Sequence, residues 1–443
     1  MPDTVGLEQH KQPSLRGIAT KAQNKPDHSF RDLYRMLTPT LLWHAWIKLD
    51  KKSAIADDDL TVEEYEQDLF GNLAALAERL KSKRYKAKLI KRHYIPKSNG
   101  KLRPLGIPAL EDKIVQRAVA MILQAIYEQD FSDFSYGYRP KRSAKEAVSD
   151  LTFQLQYGAT GYVVEADIKG FFDHIDHDRL LELLALRIDD KALLHLIRKW
   201  LKAGIMEPEG FVIHPETGTP QGGIVSPVLA NVYLHYALDQ WFESEVKPRL
   251  RGRAFLYRYA DDWVCGFQYA DDARRYYEVL PRRLARFNLE VEPSKTRILR
   301  FSRFHPSRKY ERIFAFLGFE LYWWPDRAGT VRVMRRTARK KQLSAVQAIK
   351  DWIKKERHLS KLHFFRTLKR KLQGHYNYFY VKGNSRAVWS FYDQAIEQTF
   401  KWLNRRSGRK SYTWAVFREM LSRTAVPKPR LMESKRRHRR VLC

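Results

Sequence analysis

The sequence predicts an α+β protein, and three observations carry that expectation. Leucines recur at helical spacing through the N-terminal region and again in the C-terminal third. Short β-branched or aromatic segments bounded by turn residues interrupt them in the middle of the chain. Hydrophobic residues make up 44% and aromatics 13% of 443 residues, enough to bury two or three cores and to exclude wholesale disorder.

The elements follow in order. Residues 1–30 are polar, broken by Pro2, Pro13 and Pro26, and read as a loosely ordered basic arm. From Phe30 to Lys81 the pattern turns helical, through Leu33, Leu37, Leu41, Leu42 and Ala45, then Leu69, Leu73, Leu76 and Leu80. Ser98-Asn99-Gly100 is a turn signal inside Lys91–Pro108, so a basic hairpin is expected there. Glu111 to Gln129 is helical, with Ile114, Ala118, Met121, Ile122, Ala125 and Ile126 on one face. Gly161 to Ile168 reads as a buried strand ending at an acid, and Leu180 to Leu201 as leucine-rich helix. Glycine and proline break the chain around Gly218–Gly223, before a helix from Pro227 to Phe242. Ala254 to Phe267 reads as strand, acidic turn, strand. Arg339 to Arg357 is amphipathic, with Leu343, Val346, Ile349, Trp352 and Ile353 expected to face inward.

Charge narrows the partners. Lys plus Arg number 82 against 50 for Asp plus Glu, a net +32 that calls for a polyanion, nucleic acid first. Residues 405–443 hold 13 Lys or Arg against Glu419 and Glu433. Trp414, Val416, Phe417, Met420 and Leu421 predict that the first half of this tail packs. Arg405, Arg406, Arg409 and Lys410 are its candidate nucleic-acid contacts. Cys265 and Cys443 cannot build a disulfide framework or a four-cysteine zinc site. No apolar run suits a signal peptide or a membrane span, so a soluble, cytoplasmic protein with no membrane partner is expected.

The sharpest chemical signal is Arg258-Tyr-Ala-Asp-Asp-Trp-Val264. Two adjacent aspartates at an apolar hairpin tip repel and are costly unless a cation neutralises them. A divalent metal such as Mg²⁺, which takes hard oxygen ligands, resolves this. A third acid, Asp167, ends the strand Tyr162–Ile168, and folding that joined the three would suit two-metal phosphoryl transfer. The plainer alternative is a polar hairpin turn. Asp173-His174-Ile175-Asp176-His177-Asp178 reads as a polar helix entry, because neighbouring residues do not share a ligating face.

Ten sequence blocks run in order between about Phe30 and Arg430. They begin with Tyr94-Ile-Pro-Lys97, Lys101-Leu-Arg-Pro-Leu-Gly-Ile-Pro108, Asp112-Lys-Ile-Val-Gln-Arg-Ala118 and Phe134-Ser-Tyr-Gly-Tyr-Arg-Pro140. Asp167-Ile-Lys-Gly-Phe-Phe-Asp173, Gly218-Thr-Pro-Gln-Gly-Gly-Ile-Val-Ser-Pro227 and Tyr259-Ala-Asp-Asp262 follow. The last are Ser294-Lys-Thr296, Phe316-Leu-Gly-Phe319 and Gly374-His-Tyr-Asn-Tyr378. In these blocks the chain resembles the reverse transcriptases encoded by bacterial group II introns, the intron maturases, and the final block lies in the region that family uses for splicing.

The resemblance implies a right-hand polymerase with an RNA template, host intron RNA, a DNA primer or target, and dNTPs as partners. It places an N-terminal extension at 1–75, fingers at 76–160, a palm at 161–325 with a fingers insertion near 185–215, a thumb at 335–404 and a basic tail at 405–443. It implies two Mg²⁺ ions, replaceable by Mn²⁺, held by Asp167, Asp261, Asp262 and the Ile168 carbonyl. Lys97, Lys101 and Arg103 would grip the triphosphate. Phe172 would exclude a ribose 2′-OH, the plainer alternative being core packing, which Phe171 could equally supply, and Gln221 would line the nucleotide pocket. Lys295 is the candidate proton donor to pyrophosphate, and Phe316, Leu317 and Gly318 the grip on the primer end.

Two departures stand out. Ser53-Ala-Ile-Ala-Asp-Asp-Asp-Leu-Thr61 replaces a glycine-dependent turn, and Lys141 and Lys145 replace the commoner Gly and His. The His-Asn-His nuclease of many relatives is expected to be lacking. Two other functions compete with a splicing-competent reverse transcriptase. One is a stand-alone reverse transcriptase for repair or phage defence. The other is an RNA-binding splicing factor without polymerase activity, which the presence of all three aspartates disfavours.

Overall fold

A cap opens the N-terminal helix. In the computed structural model, which describes residues 14–51, 61–96, 102–220, 222–405 and 412–431, Ser14 accepts the Gly17 N–H and starts α1 (Leu15–Asn24). Ile18 and Ala22 of α1 are buried, so the expected loose arm is helical from Leu15. The physical reason is a small apolar stripe, Ile18 and Ala22 one turn apart, in a helix that packs on the helix Leu110–Tyr127. Thr38 and Pro39 open α2 (Pro39–Ile47), and a Thr61–Glu64 capping box opens α3 (Val62–Gln67). Asp68 caps α4 (Leu69–Lys81), which buries Leu73, Leu76 and Leu80.

The expected basic hairpin is β1 (Ile90–Pro96) antiparallel to β2 (Leu102–Ile107), its turn lying outside the described residues. Next comes α5 (Leu110–Tyr127), buried on nearly every side rather than on one face. Then follow α6 (Ala144–Tyr157), β3 (Tyr162–Asp167) and the single turn α7 (Phe171–His174).

The helix expected over Leu180–Leu201 is two helices, α8 (His177–Ala185) and α9 (Lys191–Leu201). Asp190 breaks it: its carboxylate accepts the Ala192 and Leu193 N–H groups, 3.0 Å each, and also the Tyr34 N–H at 2.8 Å. A long-range partner thus fixed a cap that leucine spacing hid. Short strands β4 (Ile205–Met206) and β5 (Val212–Ile213) precede α10 (Ser226–Leu234). The helix expected to Phe242 leaves α geometry after Leu234 and continues in π-helical turns His235–Asp239 and Phe242–Val246.

The remaining elements are β6 (Ala254–Tyr259), β7 (Asp262–Phe267), α11 (Ala270–Ala285), β8 (Arg297–Arg300), β9 (Phe314–Phe316), β10 (Phe319–Pro325) and β11 (Val331–Thr337). Four helices close the described chain: α12 (Arg339–Glu356), α13 (Lys361–Phe379), α14 (Ser385–Leu403) and α15 (Trp414–Arg423).

The chain folds into two interleaved compact units. One comprises Met1–Lys141, Asp167–Arg249 and Glu278–Glu292. It holds the sheet ordered β2-β1-β4-β5 and the helix α5, packed against α1, α2 and α10. The other comprises Arg142–Ala166, Leu250–Tyr277 and Pro293–Cys443. It holds the sheets ordered β6-β7-β3-β8 and β11-β10-β9.

The second unit also holds a helical core in which Ile349, Ile353, Leu368, Leu372, Val388 and Phe417 meet. Within α12, Leu343 does not face this core as expected but is 62% exposed. In α15 Phe417 is fully buried and Trp414 stacks on Phe400 at 3.9 Å, whereas Val416 points outward. Among the described residues no helix is long and apolar enough to cross a membrane.

Candidate active site

In the second unit, β6 and β7 pair antiparallel with Tyr259 opposite Asp262, leaving Ala260-Asp261 as a two-residue turn. Ala260 adopts φ 55°, a left-handed conformation that costs a non-glycine residue about 1–2 kcal/mol. Arg258 offsets that cost from below. Its side chain is fully buried and its Nη1 donates to the Ala260 carbonyl at 3.0 Å. Trp263, Val264 and Cys265 are buried directly after the turn, and Trp263 Nε1 donates to Tyr276 Oη at 3.2 Å. The two carboxylates therefore stand on a stiff apolar hairpin.

β3 runs beside β7, and the Gly161 N–H donates to the Phe267 carbonyl at 2.9 Å. The start of β3 thus meets the end of β7, and β3 leads toward the end of the sheet where β6 and β7 turn. It terminates at Asp167. In the first unit the Asp167 carbonyl accepts the Glu292 N–H at 2.8 Å, and buried Ile168 bridges Val291.

A second turn lies in the same unit as the acidic one. Phe316 pairs with Phe319, so Leu317-Gly318 closes the β9–β10 hairpin with φ 51° and 79°. Two successive left-handed residues are the signature of a type I′ turn. Phe316 is fully buried at the base of this turn. The Tyr378 hydroxyl donates to the Leu317 carbonyl at 3.0 Å, and its ring stacks on Phe319 at 6.1 Å. Burial, then the charges of Tyr259 and Asp262, push the Tyr378 hydroxyl pKa above its ordinary value. Two sequence blocks, Phe316–Phe319 and Gly374–Tyr378, thereby meet, and β7, which carries Asp262, packs against β9. Lys295 sits exposed in the single turn Pro293–Lys295 of this unit.

In the first unit, neighbouring phenylalanines separate. Phe171 is buried in the core, while Phe172 is half-buried and meets the Tyr138 ring edge-on at 6.5 Å. Tyr138 and Lys141 both take left-handed φ, 58° and 60°, which explains why glycine is commoner at the latter position. The loop after β5 is fastened to the segment around Phe172. The Thr219 N–H donates to the Phe172 carbonyl at 2.8 Å, and the Gly218 N–H to the Ile175 carbonyl at 2.8 Å. A Cβ on Gly222 would stand 2.5 Å from the Gly106 carbonyl of β2, so only glycine lets the loop approach that strand.

Gln116 completes the anchorage, its Oε1 accepting the Ile224 N–H at 2.9 Å. The sequence reading assigned Gln116 no role, although a glutamine on an apolar helix face was its signal. Arg103 is exposed on β2 opposite Ile95. Gln221, Lys97 and Lys101 lie outside the described residues, as do Arg406, Arg409, Lys410 and the acidic loop 52–60. Arg405 is described and lies over the Trp402 ring at 5.6 Å, beside Lys354 and Arg357.

The acidic run after Phe172 is structural. Asp176 caps α8 through the Arg179 N–H at 2.7 Å, His177 Nε2 lies 2.6 Å from the Gly218 carbonyl, and Asp178 pairs with Arg198 at 2.9 Å. Among the described residues no three His, Cys, Asp or Glu side chains are grouped closely enough to hold a metal ion. The adjacent carboxylates of Asp261 and Asp262 are nonetheless hard oxygen donors. They match the habit of Mg²⁺ of taking one or two carboxylates and completing its shell with water and substrate phosphate.

Comparison with known proteins agrees with this architecture. The family model described as reverse transcriptase (RNA-dependent DNA polymerase) matches residues 95–321, just over half of the chain. The chain belongs to the reverse transcriptase family. It is 41% identical over 229 residues to the group II intron-encoded protein LtrA of Lactococcus lactis subsp. cremoris, covering 50% of this chain and 37% of that protein. It is 37% identical over 281 residues to protein YkfC of Escherichia coli (strain K12), covering 58% and 73%. It is also 34% identical over 233 residues to an uncharacterized 91 kDa protein in the cob intron of Schizosaccharomyces pombe, covering 52% and 28%. The match thus spans little more than a third of LtrA.

Proposed function

We propose that this chain is an RNA-directed DNA polymerase that extends a DNA primer on an RNA template and assists splicing and mobility of a group II intron. The observation that carries the polymerase reading is the acidic turn: two carboxylates on a rigid hairpin, in the sheet whose strand β3 ends at Asp167. In the right-hand layout, residues 76–160 serve as fingers, 161–325 as palm and 335–404 as thumb. Asp167, Asp261, Asp262 and the Ile168 carbonyl would hold two Mg²⁺ ions. When bound, these supply Lewis-acid activation of the primer 3′ oxygen and charge neutralisation on the triphosphate.

The chain's own residues do the positioning. Arg103, with Lys97 and Lys101, binds phosphate oxygens, and Phe172 blocks the space a 2′-OH would need. Gln221 serves the nucleotide pocket, and the Phe316-Leu317-Gly318 turn orients the primer end. Lys295 delivers a proton to the departing pyrophosphate oxygen. Support for the intron role comes from the relatives' intron-encoded character, the Gly374–Tyr378 block and the basic tail.

The test is primer extension on an RNA template annealed to a DNA primer. Asp261→Ala and Asp262→Ala should each lower the rate by about a hundredfold or more, because each removes charge stabilisation used in the transition state. Binding of the same duplex should persist, since the basic surface is untouched. A variant keeping more than about a tenth of the activity would overturn the assignment, a loss too small for a ligand of the transition-state charge.

A further inference from the structure

We infer that Tyr378 is a positioning residue for polymerisation: through its hydroxyl, helix α13 holds the Leu317-Gly318 turn in the conformation that receives the primer end. The inference rests on the reading of that turn as the primer contact. It also reassigns part of the Gly374–Tyr378 block, expected to serve splicing, to support of the polymerase site.

The turn is not self-sufficient. Leu317 has a left-handed φ of 51° without being glycine, at a cost of about 1–2 kcal/mol. Both of its carbonyls are held from outside the hairpin. Tyr378 Oη donates to that of Leu317 at 3.0 Å, and the Ala338 N–H donates to that of Gly318 at 2.9 Å. A net hydrogen bond of about 1 kcal/mol is comparable with the local strain, so the Tyr378 bond weighs heavily in selecting this conformation. Phe319 stacks on the Tyr378 ring with planes 16° apart, and Phe379 packs on Phe319 at 5.4 Å. Strand β7, which carries Asp262, packs against β9 of the same hairpin. The primer turn is therefore held from α13 by one hydroxyl and by aromatic packing.

Tyr378→Phe removes the hydroxyl and leaves both ring stacks. Steady-state extension on the RNA template–DNA primer duplex should show KM for the duplex raised about five- to tenfold, the equivalent of one hydrogen bond. KM for dNTP should stay within about twofold and the thermal midpoint within about 2 °C, since no packing is lost. A duplex KM within about twofold of the parent, or a rise matched by an equal rise in dNTP KM or by a lower melting midpoint, would overturn the inference. Gly318→Ala separates the two readings, because it strains the turn at φ 79° whatever Tyr378 does. If it leaves duplex KM unchanged, the primer reading of the turn fails and the inference with it. If it raises duplex KM while Tyr378→Phe does not, the inference alone fails.

Discussion

At the scale of single residues, Phe171 and Phe172 state the difference between a residue type and its environment. Both are phenylalanines after Gly170, and no periodicity decides which one packs. Burial decides it: Phe171 is in the core, and Phe172 is half-open beside Tyr138. Phe172→Val should therefore leave the core intact while making room for a hydroxyl. The expected outcome is a rise of about tenfold or more in ribonucleotide relative to deoxynucleotide incorporation, the scale on which a pocket discriminates one small group. Unchanged sugar discrimination with an unchanged melting midpoint would make Phe172 a packing residue. Asp261 and Asp262 were legible because two adjacent acids in an apolar hairpin are anomalous on their face. Arg258 was not, since nothing local reveals that an arginine is wholly buried beneath the turn it supports.

At the scale of elements, helix α5 carries more than the one apolar face its spacing predicts. Asp112 is buried within it, accepting the Tyr85 hydroxyl and, at 3.0 Å, the Lys88 N–H. Trp200 Nε1 donates to that same hydroxyl at 3.0 Å, so the acid ties α5 to the chain before β1 and to α9. Burial pushes the Asp112 carboxyl up to about 6, against the pull of its hydrogen bonds. The folded value lies above the unfolded value of about 3.9, so stability from this group is full below about pH 4 and is lost as pH rises through about 6. Asp112→Asn should remove that slope. In urea unfolding, parent stability relative to the variant should fall by about 2–3 kcal/mol between pH 4 and 7. A difference that does not change with pH would mean that Asp112 is not buried as a titrating acid. Helix periodicity could locate α5, but it could not disclose this polar network, whose other members come from the chain before β1 and from α9. The same blindness merged α8 with α9, where the cap on Asp190 depends on Tyr34 far upstream.

At the scale of the whole molecule, the net charge of +32 favours a polyanionic partner. If the tail binds phosphates, changing Lys435, Arg436, Arg437, Arg439 and Arg440 to Gln should flatten the salt dependence of RNA affinity. Each lost contact removes roughly 0.7–0.9 from the log–log slope, and extension on a saturating primer–template should change less. An unaltered slope would mean that these charges are solvated and idle. The sequence by itself determined the class of fold, the charge that demands a polyanion, the polymerase blocks and the acidic pair. Each of these is a local pattern, of spacing, composition or adjacent residue types. Tertiary structure alone decided which phenylalanine is open, that Gln116 anchors the loop after β5, and that Tyr378 of α13 meets the Leu317 carbonyl. Those contacts join residues 61 to 108 positions apart, and their geometry follows from packing, in which no single segment carries its partner's address.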